Sequence, residues 1–146
     1  MTSANQIEIE TPATQPGNQV RMPAGILGFE HIKDYVLLAN PAEVPFAWLR
    51  VANSSSPAFV VINPFLVMPN YAPDIPETDV EFLGLKGADD ALLFGIVTLR
   101  GPNRATVNLK GPVVINRHTH TGKQVIIGNA SNYSVEHPLP VAADAV

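Results

Sequence analysis

The run Leu92-Leu93-Phe94-Gly95-Ile96-Val97-Thr98-Leu99 restricts the possible folds more than any other stretch of this chain. It is apolar on both alternating faces, as a strand covered on both sides must be, and it predicts a central strand. Gly101-Pro102-Asn103 follows with turn chemistry: proline pre-sets its own φ, while glycine and asparagine tolerate the values a reversal needs. Ala105-Thr106-Val107-Asn108-Leu109 then alternates strictly, which puts Ala105, Val107 and Leu109 on one face of a half-buried strand. Gly111-Pro112 predicts a bulge or corner, because proline cannot donate a ladder hydrogen bond. Val113-Val114-Ile115 and Gln124-Val125-Ile126-Ile127 read as partner strands around Thr119-His120-Thr121-Gly122, where Gly122 is expected to supply a positive φ. The block 91–127 is thus an antiparallel meander.

At 146 residues and 46% hydrophobic content the chain fits one domain with an ample core, and 14 prolines with 10 glycines argue for short strands joined by turns. No apolar run approaches the roughly 18 residues that span a bilayer, and the first basic residue is Arg21, so the expectation is a soluble cytoplasmic protein. The absence of cysteine excludes disulfides, thiolate nucleophiles and cysteine-bound metals. Charge is distributed in blocks. Asp74, Glu77, Asp79, Glu81, Asp89 and Asp90 form an acidic block, and Arg100, Arg104, Lys110, Arg117 and Lys123 form a basic one. Taken separately, each reads first as a solvated surface, and together they could steer partners.

Earlier in the chain, residues 1–5 are expected to fray, Gln6–Glu10 alternates as a first strand, and 12–18 is a loop. Val20-Arg21-Met22 predicts a short returning strand, and the apolar segment between Gly25 and Gly28 needs cover from the core or a partner. Glu30 to Asp34 could form one helical turn before a strand over Tyr35–Ala39. Phe46–Val51 and Ala58–Ile62 are further strands, with Phe46 and the single tryptophan, Trp48, sharing a face and assigned to the core. Asn63 to Tyr71 holds Phe65, Leu66, Val67 and Met68 between prolines, a composition that suits an exposed edge or lip and makes it the first candidate contact surface. Thr78-x-x-Glu81 has the form of a capping box opening one short helix that Gly84 closes, with Val80, Leu83 and Leu85 docked on the sheet. Residues 138–146 read as a loose tail.

Little in the sequence points to catalysis. His118 and His120 share a face in an extended segment, but no third ligand stands at a diagnostic spacing, so they read as loop histidines and no metal is expected. The acidic block lacks the ligand spacing and central glycine of a calcium loop, and neither a nucleophile elbow nor a phosphate-binding glycine motif occurs. No enzyme and no cofactor are expected. A nucleic-acid-binding β-barrel using the basic 100–123 segment is the rival reading, weakened by the lack of stacking aromatics there.

Several motifs in order, spanning roughly residues 5 to 138, resemble the FliW family of flagellar assembly factors. They are Gly25-x-x-Gly28-Phe29-Glu30, Pro45-Phe46-x-Trp48-Leu49, Asn63-Pro64-Phe65-Leu66 with Tyr71, Ala105-Thr106-x-Asn108-Leu109-x-x-Pro112-x-x-x-Asn116, and Gly122-Lys123-Gln124-Val125. The resemblance implies a mainly all-β, small antiparallel β-barrel-like fold with one short helix, in a single domain over 1–146 whose ends, 1–5 and 139–146, are flexible. It also implies a non-catalytic partner switch controlling flagellin synthesis, with a chaperone-like role toward flagellin and antagonism of the RNA-binding translational repressor CsrA. The free protein is then expected to be a monomer that touches neither nucleic acid nor membrane. On this reading Phe65, Val67, Met68 and Tyr71 anchor flagellin, while Asp74, Glu77 and Asp79 face the basic surface of CsrA.

Overall fold

The computed structural model describes residues 19–54, 56–102 and 104–139. The expected strand at Gln6–Glu10, the 12–18 loop and the end segments 1–5 and 140–146 lie outside the described residues. The described chain forms β1 (Gln19–Arg21), β2 (Asp34–Ala39), β3 (Phe46–Val51), β4 (Ala58–Ile62), α1 (Pro64–Val67), α2 (Glu77–Leu83), β5 (Ala91–Gly101), β6 (Arg104–Val107), β7 (Val113–Asn116), β8 (Gly122–Gln124) and β9 (His137–Leu139). Every ladder is antiparallel, in the order β1-β2-β3-β4-β5-β6-β9, with β7 joining β5 and β8 joining β7. This is the mainly all-β architecture expected.

β5 is the hub. Its first part, Ala91 to Phe94, pairs with β7, while Gly95 to Val97 pair with β4 and Val97 onward with β6. Gly95 marks the change of partner: a Cβ there would stand 2.5 Å from Val107 Cγ2, so only glycine lets β6 pass this close. Between β6 and β7 the corner predicted at Gly111-Pro112 is held by Asn108, whose Oδ1 accepts from the amides of Lys110 and Gly111, each at 2.9 Å.

The sheet curls without closing. A single parallel bridge, Arg21 to Thr121, and the Arg21 amide donating to His120 O at 2.9 Å tie the β1 edge to the β7–β8 hairpin. The concave side buries Val20, Met22, Ile26, Tyr35, Leu49, Val61, Val113 and Ile115, a barrel-like core. The opposite side of β4, β5 and β6 carries a second core of Ile62, Val97, Val107 and Leu109, extended by Leu139 of β9 and covered by Tyr71 and Ile127. A third cluster seats α2 through Leu83 on Val114 and Val125.

Several local expectations change. In the β7–β8 hairpin the left-handed residue is His120, at φ 61°. Gly122 lies inside β8, where a Cβ would approach Met22 Sδ to 2.8 Å, so this glycine answers a need for space and not for turn geometry. The strand assigned to Gln124–Ile127 starts two residues earlier and ends at Gln124. Glu30 to Asp34 holds no helix, because β2 already begins at Asp34. The chain near its described end is not loose: β9 pairs with β6, and Leu139 is buried opposite Ala105. α2 opens at Pro76, with no side-chain cap, so the Thr78 capping box does not form. Gly84, at φ 69°, ends the helix as foreseen.

Candidate partner-binding site

The Asn63–Tyr71 lip is not simply extended. Asn63 Oδ1 accepts from the Phe65 amide at 2.9 Å and Pro64 occupies the first helical position, so the sequence Asn-Pro nucleates the single turn of α1. This second helical element was not anticipated. Its effect is to point Phe65 and Leu66 outward, 40% and 62% exposed, while Val67 and Met68 rest half-buried on the second core.

Tyr71 faces the other way. It is 4% exposed, and its hydroxyl donates to Leu109 O at 2.6 Å across the sheet. Its ring lies 4.9 Å, edge-on, from that of Tyr133 and 5.7 Å from that of Phe65. Burial first, and then the neighbouring Tyr133, push the Tyr71 phenol above its ordinary range. Tyr71 is therefore the floor of the lip, whereas Phe65 is its exposed edge.

After Tyr71 the chain is pinned at each step: Tyr133 Oη accepts from the Ala72 amide at 3.0 Å, and Asn129 bonds both Ala72 O and the Asp74 amide. This fixed edge, α2 and the segment 85–88 enclose an apolar groove of about 520 Å³, walled by Phe65, Tyr71, Ile75, Val80, Leu85 and Leu93. The lip and the segment after it thus share one groove, whose single charged wall residue is Lys86.

The acids divide into two kinds. Asp74 and Glu77 are exposed, neither lines the groove, and the Asp74 carboxylate lies against Gly128. Asp79 is 7% exposed and paired with Lys123, whose ammonium also lies 5.4 Å from the Phe82 ring centre. Its carboxylate belongs to the internal framework and adds no open charge to the rim. The spacing of residues 74, 77 and 79 could not reveal this, since the partner stands 44 residues away.

Among the described residues, the two charge blocks meet through one ion pair, Lys123 with Asp79, and through hydrogen bonds beside it. Besides Lys123 on Asp79, Arg117 Nε donates to Asp89 O at 2.6 Å, and His118 Nε2 lies 3.0 Å from Asp90 Oδ1. Asp90 is held below the ordinary carboxylate range, chiefly by the Lys86 amide at 2.8 Å and then by His118. His118 is thus an exposed loop histidine, as expected, that also contacts a carboxylate. Asn116 lies at the centre of this contact, 3% exposed, donating to Leu83 O at 2.8 Å and accepting from the His118 amide at 2.8 Å. Arg100 pairs with Glu136 at 3.0 Å. Of the five bases, Arg100 and Lys123 are thus paired with carboxylates.

A second depression, of about 630 Å³, escaped the sequence reading. Trp48, assigned to the core, is 37% exposed, its indole N–H donating to Glu43 Oε1 at 3.1 Å. Phe46 does pack on the second core, so the shared face was correct but its cover stops short of Trp48. Leu99, 73% exposed, and Val44, 71% exposed, border the depression. The signal lay in Leu99 next to Arg100, where the apolar run of β5 leaves the covered part of the sheet.

A family model described as FliW protein matches residues 2–139. The chain belongs to the FliW family. Its sequence is 36% identical over 126 residues to the Flagellar assembly factor FliW of Moorella thermoacetica, covering 85% of this chain and 79% of that protein. It is 41% identical over 122 residues to the protein of the same name from Geobacillus thermodenitrificans, covering 82% and 83% respectively. A crystal structure of the flagellar assembly factor FliW superposes with a TM-score of 0.79 at 38% identity, covering 88% of this chain and 89% of that one. The family match over residues 2–139 thus spans the whole described fold.

Proposed function

We propose that this chain is a flagellar assembly factor that works by binding: it takes up flagellin, antagonises CsrA, and so couples unassembled flagellin to flagellin synthesis without catalysing a reaction. The observation that supports this reading most is the groove between Phe65 and α2, apolar apart from Lys86, with the exposed acids Asp74 and Glu77 close in sequence to its wall residues Ile75 and Val80. Flagellin presents amphipathic terminal segments before assembly, and an apolar stripe can lie in such a groove. An RNA-binding repressor presents basic surface, which Asp74 and Glu77 would attract.

Because Asp74 follows Pro73 of the groove wall, and Glu77 lies on the helix that supplies Val80, the two partners would meet overlapping ground. Calorimetry of the purified chain against monomeric flagellin and against CsrA tests the reading. A saturable 1:1 complex with each is expected. Heats of dilution only, with both partners shown to be folded and active, would overturn it.

A further inference from the structure

The Trp48 depression lies on a different part of the surface from the lip groove and calls for its own occupant. The register aligns Trp48 with Val60, Val60 with Val97, and Val97 with Val107, so one apolar row crosses four strands. Val44 and Phe46 flank the row at the β3 end and Leu99 at the β6 end. A charge stands at each end: Glu43 beside Trp48, and Arg104 in β6, which makes no ion pair among the described residues. Three strand spacings of about 4.8 Å, or about 14 Å, separate β3 from β6, and Arg104 stands three residues along β6 from Val107, about 10 Å at about 3.3 Å each, so the charged ends lie on a diagonal of about 17 Å. Glu43 also fixes the indole, so the apolar floor is set before anything binds.

An apolar row with an anion at one end and a cation at the other is complementary to an amphipathic α-helix. About twelve residues span about 17 Å at a rise of about 1.5 Å each. The helix dipole places partial positive charge at the N-terminus and partial negative charge at the C-terminus, whereas a single extended strand has little net dipole to satisfy both ends. We infer that the Trp48 depression is a docking site for a short amphipathic helix of a partner protein, oriented with its N-terminal turn on Glu43 and its C-terminal turn on Arg104. Its apolar stripe covers Trp48, Val60 and Val97. A basic first turn and an acidic last turn in the partner strengthen the match. This site is separate from the lip groove, so its failure leaves the flagellin and CsrA reading untouched.

The chain's single tryptophan is the reporter. The probes are two stapled helical peptides of about twelve residues with the same leucine stripe and blocked ends, one with lysines in the first turn and glutamates in the last, the other reversed. Binding of the first should blue-shift Trp48 emission with an affinity about tenfold above that of the reversed peptide. The double variant Glu43→Lys, Arg104→Glu exchanges the end charges and should invert the preference, while Glu43→Gln, which keeps an acceptor for the Trp48 indole, should keep its Tm and lose the part of the preference due to Glu43. Equal affinity for both peptides overturns the proposal. So does equal binding of a version broken by a central proline, which would assign the site to an extended segment. A blue shift on raising the protein concentration alone would assign it to a second copy of the chain, and also overturns the proposal.

Discussion

Phe65 and Tyr71 touch, yet the first is exposed and the second buried. Phe65 is exposed on the one-turn helix, and its removal is expected to weaken flagellin binding by about 1–2 kcal/mol while leaving Tm nearly unchanged. Tyr71→Phe leaves Leu109 O without its buried donor and should cost about 1–2 kcal/mol of folding stability, with flagellin affinity retained once the protein is folded. Paired melts and calorimetry separate the two, and a Tyr71→Phe variant that loses affinity without losing Tm would reverse the assignment. Asp79→Asn should likewise act on stability. It breaks the pair with Lys123, at about 2 kcal/mol and below the full cost for a sealed pair, because Lys123 can turn to solvent. An unchanged chemical-denaturation midpoint for that variant would show that the pair contributes nothing. None of these distinctions was legible in the sequence, where Tyr71 and Asp79 look like their exposed neighbours. What separates them is a partner 38 residues away for Tyr71 and 44 for Asp79.

At the scale of elements, α2 and the turn at 88–90 are held by the β7–β8 hairpin through Asn116, Arg117, His118 and Lys123. Asp90 is the titrating member of this contact. Its carboxyl is lowered in the folded state, so its contribution to stability is present above the ordinary carboxylate range and is lost as pH falls through the lowered value. Asp90→Asn should remove that part of the acid limb from a plot of Tm against pH, and an unaltered limb would contradict the contact. On the outer side of the same element, charge reversal at Asp74 and Glu77 should slow CsrA association and flatten its salt dependence, since both are exposed. Stopped-flow rates at several salt concentrations check this, and an unchanged rate would exclude that face. The acidic segment, the αL glycine at 84 and the docking of Leu83 were readable from composition and spacing. The helix start was not, because Pro76 begins the helix by its fixed φ where a side-chain cap was expected.

For the molecule as a whole, alternation and turn residues were sufficient to recover β2 to β7 in substance, because half-buried antiparallel strands write their faces into the sequence with period two. What they could not convey is where cover ends. Trp48 and Val60 carry the same apolar signal as Leu49 and Val61, yet the concave face is sealed and the convex face is capped only as far as the residues around Tyr71. The two depressions follow from this incomplete cover: Leu93 lines one and Val97 the other, on the same side of β5. The central claim is that the groove beside Phe65 serves both flagellin and CsrA. Reciprocity requires that whatever factor one partner imposes on the other's affinity is returned in full. Titrating CsrA at a series of fixed flagellin concentrations tests it most directly. The apparent Kd for CsrA should rise in proportion to free flagellin without limit, whereas a plateau, or a ternary complex formed with no loss of affinity, would contradict the shared site.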